Sequence, residues 1–140
     1  HSPQGERIDH IEHHPAYLEL QKLSYGAEIV SLKYDPQFLA LHKKNRHLIG
    51  FSVAYYFAQT ETGLFCPICM TDALGRVLEK HPHHPKSQKI LEHISSSDVK
   101  TFWSGAMFLT EKQGGSDVGA NTTFAEEREG RWFLHGDKWF

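Results

Sequence analysis

The spacing of apolar residues changes character at Ser95-Ser96-Ser97, and that change restricts the chain to a fold in which helices and strands are segregated. Ahead of the serines, apolar side chains recur at helical intervals. Tyr17, Leu18, Leu20 and Leu23 follow Pro15, while Phe38, Leu41, Leu48, Ile49, Val53, Tyr56 and Phe57 follow Asp35-Pro36. An aspartate before a proline supplies an N-cap acceptor, then a residue whose missing N–H has no intrahelical partner to lose. The second pattern therefore predicts one long packed helix from Pro36 until Gly63, with Tyr55-Tyr56-Phe57 as a buried segment of it. Pro67 opens another, with Ile68, Ala73, Leu74, Val77 and Leu78 inward, ending before Pro82 and Pro85; a short helix over about 85–93 follows.

Beyond Ser97 the periodicity is that of strands. Residues 102–109 are aromatic and apolar, Gly114-Gly115 marks a loop, and 122–126 and 132–135 suit strands joined by a hairpin turn at Glu129-Gly130. The architecture is α+β, with a helical domain over residues 1–97 and the beginning of an antiparallel sheet over 98–140. The chain lacks an initiator methionine and its last residues read as a strand in mid-course, so it is expected to be a segment of a larger protein.

The length, 140 residues with 39% hydrophobic content, is sufficient for one compact domain or one domain and part of another. A formal charge of -2, from 15 basic and 17 acidic side chains, supplies no positive field for nonspecific nucleic-acid or membrane-surface binding. No apolar run approaches a membrane span and the polar start has no signal-peptide organisation, which points to a soluble intracellular protein. Cys66 and Cys69 are too few for a disulfide scaffold, and their C-x-x-C spacing has no thioredoxin-like strand ahead of it, so both are read as packing residues. His10, His13, His14, His81, His83 and His84 invite a metal reading, but proline interrupts both clusters and spacing alone fixes no coordination geometry; no metal site is assigned.

Residues 105–123 carry the chemistry. Met107, Phe108 and Leu109 bring backbone polar groups to the end of a strand, and Thr110 adds a hydroxyl at the turn. Gly114 and Gly115 allow close approach because they have no side-chain bulk. Ser116 is placed to meet a phosphate, ribose or pantetheine oxygen, and Asp117 to cap the adjacent turn. Such a stretch can suit a planar, phosphate-bearing ligand, but on composition alone an ordinary glycine hairpin loop with polar decoration is the preferred reading.

The order Thr110-Glu111, Gly115-Ser116-Asp117, then Gly136-Asp137-Lys138-Trp139-Phe140 resembles the flavin segments of the acyl-CoA dehydrogenase family. Lys112-Gln113 stands where that family commonly has proline, and Thr110 to Val118 with Asn121-Thr122-Thr123 looks like its AidB-like branch. His14-Pro15-Ala16-Tyr17 and Gly63 to Thr71 also look like that branch, so the resemblance spans nearly the whole chain. It implies a middle domain of antiparallel β-barrel-like form and FAD bordered by Met107, Phe108, Leu109, Thr110, Glu111, Lys112, Gln113, Gly114, Gly115 and Ser116. Thr110 would bond the isoalloxazine, Ser116 would lie between cofactor and acyl-CoA substrate, and Phe140 matches the aromatic beside the ring.

The family removes a proton alpha to a thioester with a glutamate from a later helical domain; nothing in 1–140 matches it, so no catalytic residue is assigned. Glu111 is read as stabilising the turn rather than abstracting a proton. Phe65, Ile68, Cys69 and Met70, which line the acyl cavity in the family, are read as core. The full-length parent is expected to be a homotetramer, in the cytoplasm of a bacterium or the mitochondrion or peroxisome of a eukaryote. Two functions remain open: dehydrogenation of acyl-CoA, or an AidB-like protein that chiefly binds acyl-CoA or associates with DNA, with the DNA-contacting surface outside these residues.

Overall fold

A computed structural model describes residues 1–139, and the chain divides into a helical unit over His1–Gly105 and a smaller one from Ala106 onward. In the helical unit, α1 (Pro15–Gly26) starts at a proline and is capped by His14, whose Nδ1 accepts the Ala16 N–H at 3.1 Å. It ends where Glu28 adopts φ 61 and its N–H closes on the Tyr25 carbonyl. A 3-10 turn (Ser31–Lys33) leads to Asp35, whose carboxylate accepts the Phe38 N–H at 2.7 Å and opens α2 (Pro36–His42).

The single helix expected over 36–63 is two. Helix α2 stops at His42, and α3 (Arg46–Thr60) begins after Asn45, whose N–H turns back to the His42 carbonyl. Arg46 provides the physical reason. Its guanidinium makes a two-pronged contact with Glu79 at 2.6 and 2.8 Å and bonds the Lys33 carbonyl at 3.2 Å. Bidentate pairs of this kind are directional, so α3 starts where Arg46 reaches α4 (Phe65–Lys80) instead of continuing the axis of α2. Periodicity cannot see such a break.

Helix α3 also ends before Gly63. Glu61 is extended, and its carboxylate accepts the N–H groups of Gly63 and Leu64, satisfying donors at the entrance of α4. Helix α4 begins ahead of Pro67, which sits in its first turn where no N–H is needed, and ends before Pro82; α5 (Ser87–Ile94) completes the set.

Tyr25, Ile29, Val30, Leu64 and Ile68 form the core, with Tyr17, Leu20, Val53, Phe57, Phe65 and Phe102 packed around it. Two glycines admit polar side chains into this packing. A Cβ on Gly50 would lie 2.5 Å from the Lys33 stem, and one on Gly75 would strike the Tyr34 hydroxyl. Lys33, 3% exposed at its side chain, thereby reaches Asp72 at 2.5 Å, and the Tyr34 hydroxyl donates to the Asp72 carbonyl at 3.0 Å. Residues after Ser97 belong to this unit as well. The Phe102 ring lies 3.8 Å from that of Tyr25, and the Gly105 N–H donates to the fully buried Thr71 hydroxyl at 2.9 Å.

The expected inward faces are only partly inward. Val53, Phe57 and Ile68 pack, but Leu41, Leu48, Tyr55, Tyr56 and Val77 are exposed. Helix α3 is apolar on both sides, so sequence spacing could not select the face that meets this core.

In the second unit, β1 (Phe124–Arg128) pairs antiparallel with β2 (Arg131–His135), Phe124 opposite His135 and Arg128 opposite Arg131. Glu129 (φ 51) and Gly130 (φ 74) both take the left-handed conformation that a two-residue hairpin with the native twist requires. The first strand starts later than the expected residue 122 because the N–H groups of Thr122 and Thr123 go to the Glu111 carboxylate. Met107, Phe108 and Leu109, expected at the end of a strand, lie in none: among the described residues no strand pairs with them, and a strand exists only as part of a ladder. The described sheet has two strands.

Candidate cofactor-binding loop

Met107, Phe108 and Leu109 are 61%, 63% and 44% exposed, an apolar run ending at Thr110. The chain then reverses through a bridge in which Glu111 N–H donates to Gly114 O at 3.1 Å and Gly114 N–H returns to Glu111 O at 3.0 Å. Gly114 has φ 145, a value that side-chain-bearing residues rarely adopt. A Cβ on Gly115 would sit 2.8 Å from the Thr110 hydroxyl. The bare backbone of Gly115 therefore lies against that hydroxyl, and Ser116 follows directly. The structure thus brings Thr110, Gly115 and Ser116 to one bend.

The bend is organised by Glu111, which is 2% exposed. One carboxylate oxygen accepts from Thr123 N–H and Lys138 Nζ, both at 2.9 Å. The other accepts from Thr122 N–H and hydroxyl at 2.8 Å and from the Gln113 amide at 2.9 Å. Donors from Thr123, Thr122, Gln113 and Lys138 hold the carboxyl far below the ordinary glutamate range. A carboxylate so held is a poor proton acceptor. Its role is architectural.

The same partners fix the preceding carbonyls. Leu109 O accepts from Lys138 Nζ at 3.1 Å and Asn121 Nδ2 at 3.0 Å, and Thr110 O accepts from Trp139 N–H at 2.8 Å. Lys112 and Gln113 are both exposed, and the Gln113 amide donates to Glu111 at 2.9 Å and to the Ala120 carbonyl at 3.2 Å. Asp117 does not cap with its side chain, as expected from sequence; the 3-10 turn Val118–Ala120 is closed by its backbone carbonyl, which accepts the Ala120 N–H. Phe140 lies outside the described residues. Residue-by-residue reading missed the donors that Asn121, Thr122, Thr123 and Lys138 supply to the Glu111 carboxylate and the Leu109 carbonyl. The available signal was the presence of Asn121-Thr122-Thr123 and Gly136-Asp137-Lys138 downstream of Glu111.

The rival sites of the helical unit have structural occupations. Cys66 is exposed, and burial pushes the Cys69 thiol up, with the nearby Asp72 charge acting in the same direction; a redox-active cysteine is activated the opposite way. His14 caps α1, His13 stacks on Tyr17 at 4.3 Å, and His84 Nδ1 accepts the Lys86 N–H at 3.3 Å. Among the described residues no three metal-ligating side chains converge. Ile68 is core, and Phe65 packs against it with Phe57 beside it.

Residues 1–98 match the family described as the adaptive response protein AidB N-terminal domain. The chain is 31% identical, over 98% of its length, to the putative acyl-CoA dehydrogenase AidB of Escherichia coli K12, covering 26% of that protein. It is 25% identical over 97% of its length to acyl-CoA dehydrogenase family member 11 of Caenorhabditis elegans, covering 22% of it. The chain thus spans about a quarter of the length of these curated relatives. Among solved structures, the Bd2924 apo-form superposes with a TM-score of 0.77 at 32% identity, over 98% of this chain and 28% of that one. C. elegans ACDH-11 in complex with C11-CoA superposes at 0.80 and 24% identity, over 98% and 23%, a likeness of fold.

Proposed function

The chain belongs to the family of AidB N-terminal domains, and from that premise we propose that the protein containing it is an FAD-dependent oxidoreductase of acyl-CoA dehydrogenase type. One observation carries the proposal: at this bend the Thr110 hydroxyl lies against Gly115, where a Cβ would come within 2.8 Å of it, with Ser116 next in the chain and the exposed apolar run Met107 to Leu109 leading in. An apolar surface, hydroxyl donors and a bare backbone suit a flat ring with polar edges.

FAD, when bound, accepts the two electrons of alpha,beta-dehydrogenation. These residues bind and orient. The Thr110 hydroxyl would donate to the ring edge, Gly114 and Gly115 would let the backbone approach, and Ser116 would lie between cofactor and acyl-CoA. The proton-abstracting base lies outside 1–140. The hairpin β1–β2 belongs to a larger antiparallel, barrel-like domain, because it exposes Trp132 and Leu134 on one face and Phe124 and Phe133 on the other. The parent is a homotetramer.

A second reading is favoured by the family's description as an adaptive response protein: the parent binds acyl-CoA or associates with DNA, and turnover is secondary. The test is the absorbance of the full-length protein and its reduction by acyl-CoAs of several chain lengths. Bound flavin reduced by acyl-CoA supports the enzyme. Flavin that stays oxidised with every thioester supports the second reading, and a full-length protein without flavin refutes both.

A further inference from the structure

Glu111 and Lys138 are separated in sequence by a whole hairpin, yet their side chains meet at 2.9 Å, with the acid 2% and the lysine 25% exposed. A buried carboxylate needs compensation, and Lys138 is the cation that supplies it here. The ammonium also bonds the Leu109 carbonyl, which Asn121 completes. Since a carbonyl oxygen has two lone pairs, Leu109 O is saturated within the unit, and Thr110 O is engaged by Trp139 N–H. Among the described residues, the N–H groups of Leu109 and Thr110 and the Thr110 hydroxyl have no such partner. This pair of residues therefore offers a ligand donors in preference to acceptors.

We propose that Glu111 and Lys138 are positioning residues: their ion pair locks Leu109-Thr110 into a donor-presenting form, and so sets how tightly and in what electronic environment a ring is held. The inference rests on the flavin reading above. Neither side chain touches the ligand; both act through Leu109 and Thr110. Donors that are fixed before binding do not have to be ordered at the moment of binding, which is the origin of the affinity they add.

The experiment uses the full-length protein with FAD as the probe and compares wild type with Lys138→Met, Lys138→Arg and Glu111→Gln. Each is assayed for FAD dissociation constant, absorption spectrum of the bound flavin and thermal midpoint of the apoprotein. Lys138→Met and Glu111→Gln are expected to weaken FAD binding at least tenfold and to shift the flavin band, while Lys138→Arg stays within threefold of wild type with its spectrum preserved. Retention of FAD within twofold in Lys138→Met overturns the proposal, as does an equal loss in Lys138→Arg. So does a loss that merely tracks unfolding of the apoprotein, with an unaltered spectrum in the fraction still bound. A wild-type protein without flavin instead sinks the functional reading itself, a result distinct from all of these.

Discussion

Replacing Lys33 by methionine isolates the energetics of the helical unit's one deeply buried ion pair. The lysine side chain is 3% exposed and its partner Asp72 22%, at 2.5 Å. Methionine preserves most of the stem that passes Gly50 and removes the ammonium, so packing is little changed while Asp72 loses its counter-charge. Truncating one member of a buried pair costs about 3–5 kcal/mol. Asp72 keeps some solvent and a hydrogen bond from the Tyr34 hydroxyl at 3.2 Å, so the low end, about 3 kcal/mol, is expected. For a chain of this size that corresponds to a fall in Tm of roughly 10 °C. Asp72→Asn on top of Lys33→Met removes the stranded charge, and the double variant should recover to within about 1 kcal/mol of wild type. Urea and thermal unfolding followed by circular dichroism give the four corners of the cycle. The reasoning fails if Lys33→Met lies within about 0.5 kcal/mol of wild type, or if the double variant is no more stable than the single.

Acid should act on the helical unit through Glu79. Burial alone would raise its pKa, but hydrogen bonds from Arg46 and Arg76 prevail and lower it below the ordinary value of 4.5. A depressed carboxylate contributes stability above its unfolded pKa that is lost as pH falls through the folded one. The stability gap between wild type and Glu79→Gln should be constant above pH 5 and close as pH drops below about 4.5; a gap that widens in acid contradicts it. Thiol chemistry should discriminate between the cysteines. Exposed Cys66 is alkylated first by iodoacetamide at neutral pH and half-buried Cys69, its thiol raised, more slowly; peptide mass spectrometry reads the order.

Sequence made legible what short-range rules govern. Pro15 and Asp35-Pro36 mark true helix starts, and Glu129-Gly130 marks a true hairpin turn. What it concealed depends on partners distant in the chain. The break between α2 and α3 is set by Arg46 reaching Glu79, and the burial of Lys33 by a glycine one helix away. Tyr55 and Tyr56 looked inward because an all-round apolar helix carries no mark of which side meets which neighbour. At the loop, the motif order pointed to Thr110, Gly115 and Ser116, and the structure adds why they stand where they do. The acid between Thr110 and the glycines is neutralised from residues that no local pattern connects to it.

Both feet of the β1–β2 excursion are tied to one side chain: Thr122 and Thr123 where it leaves, Lys138 where it returns. The ribbon between those feet is a loop stapled shut at its base. Its tip at Glu129-Gly130 can be lengthened, shortened or fused to a reporter without pulling on Thr110, which makes it the natural insertion point for a tag meant to leave the bend undisturbed.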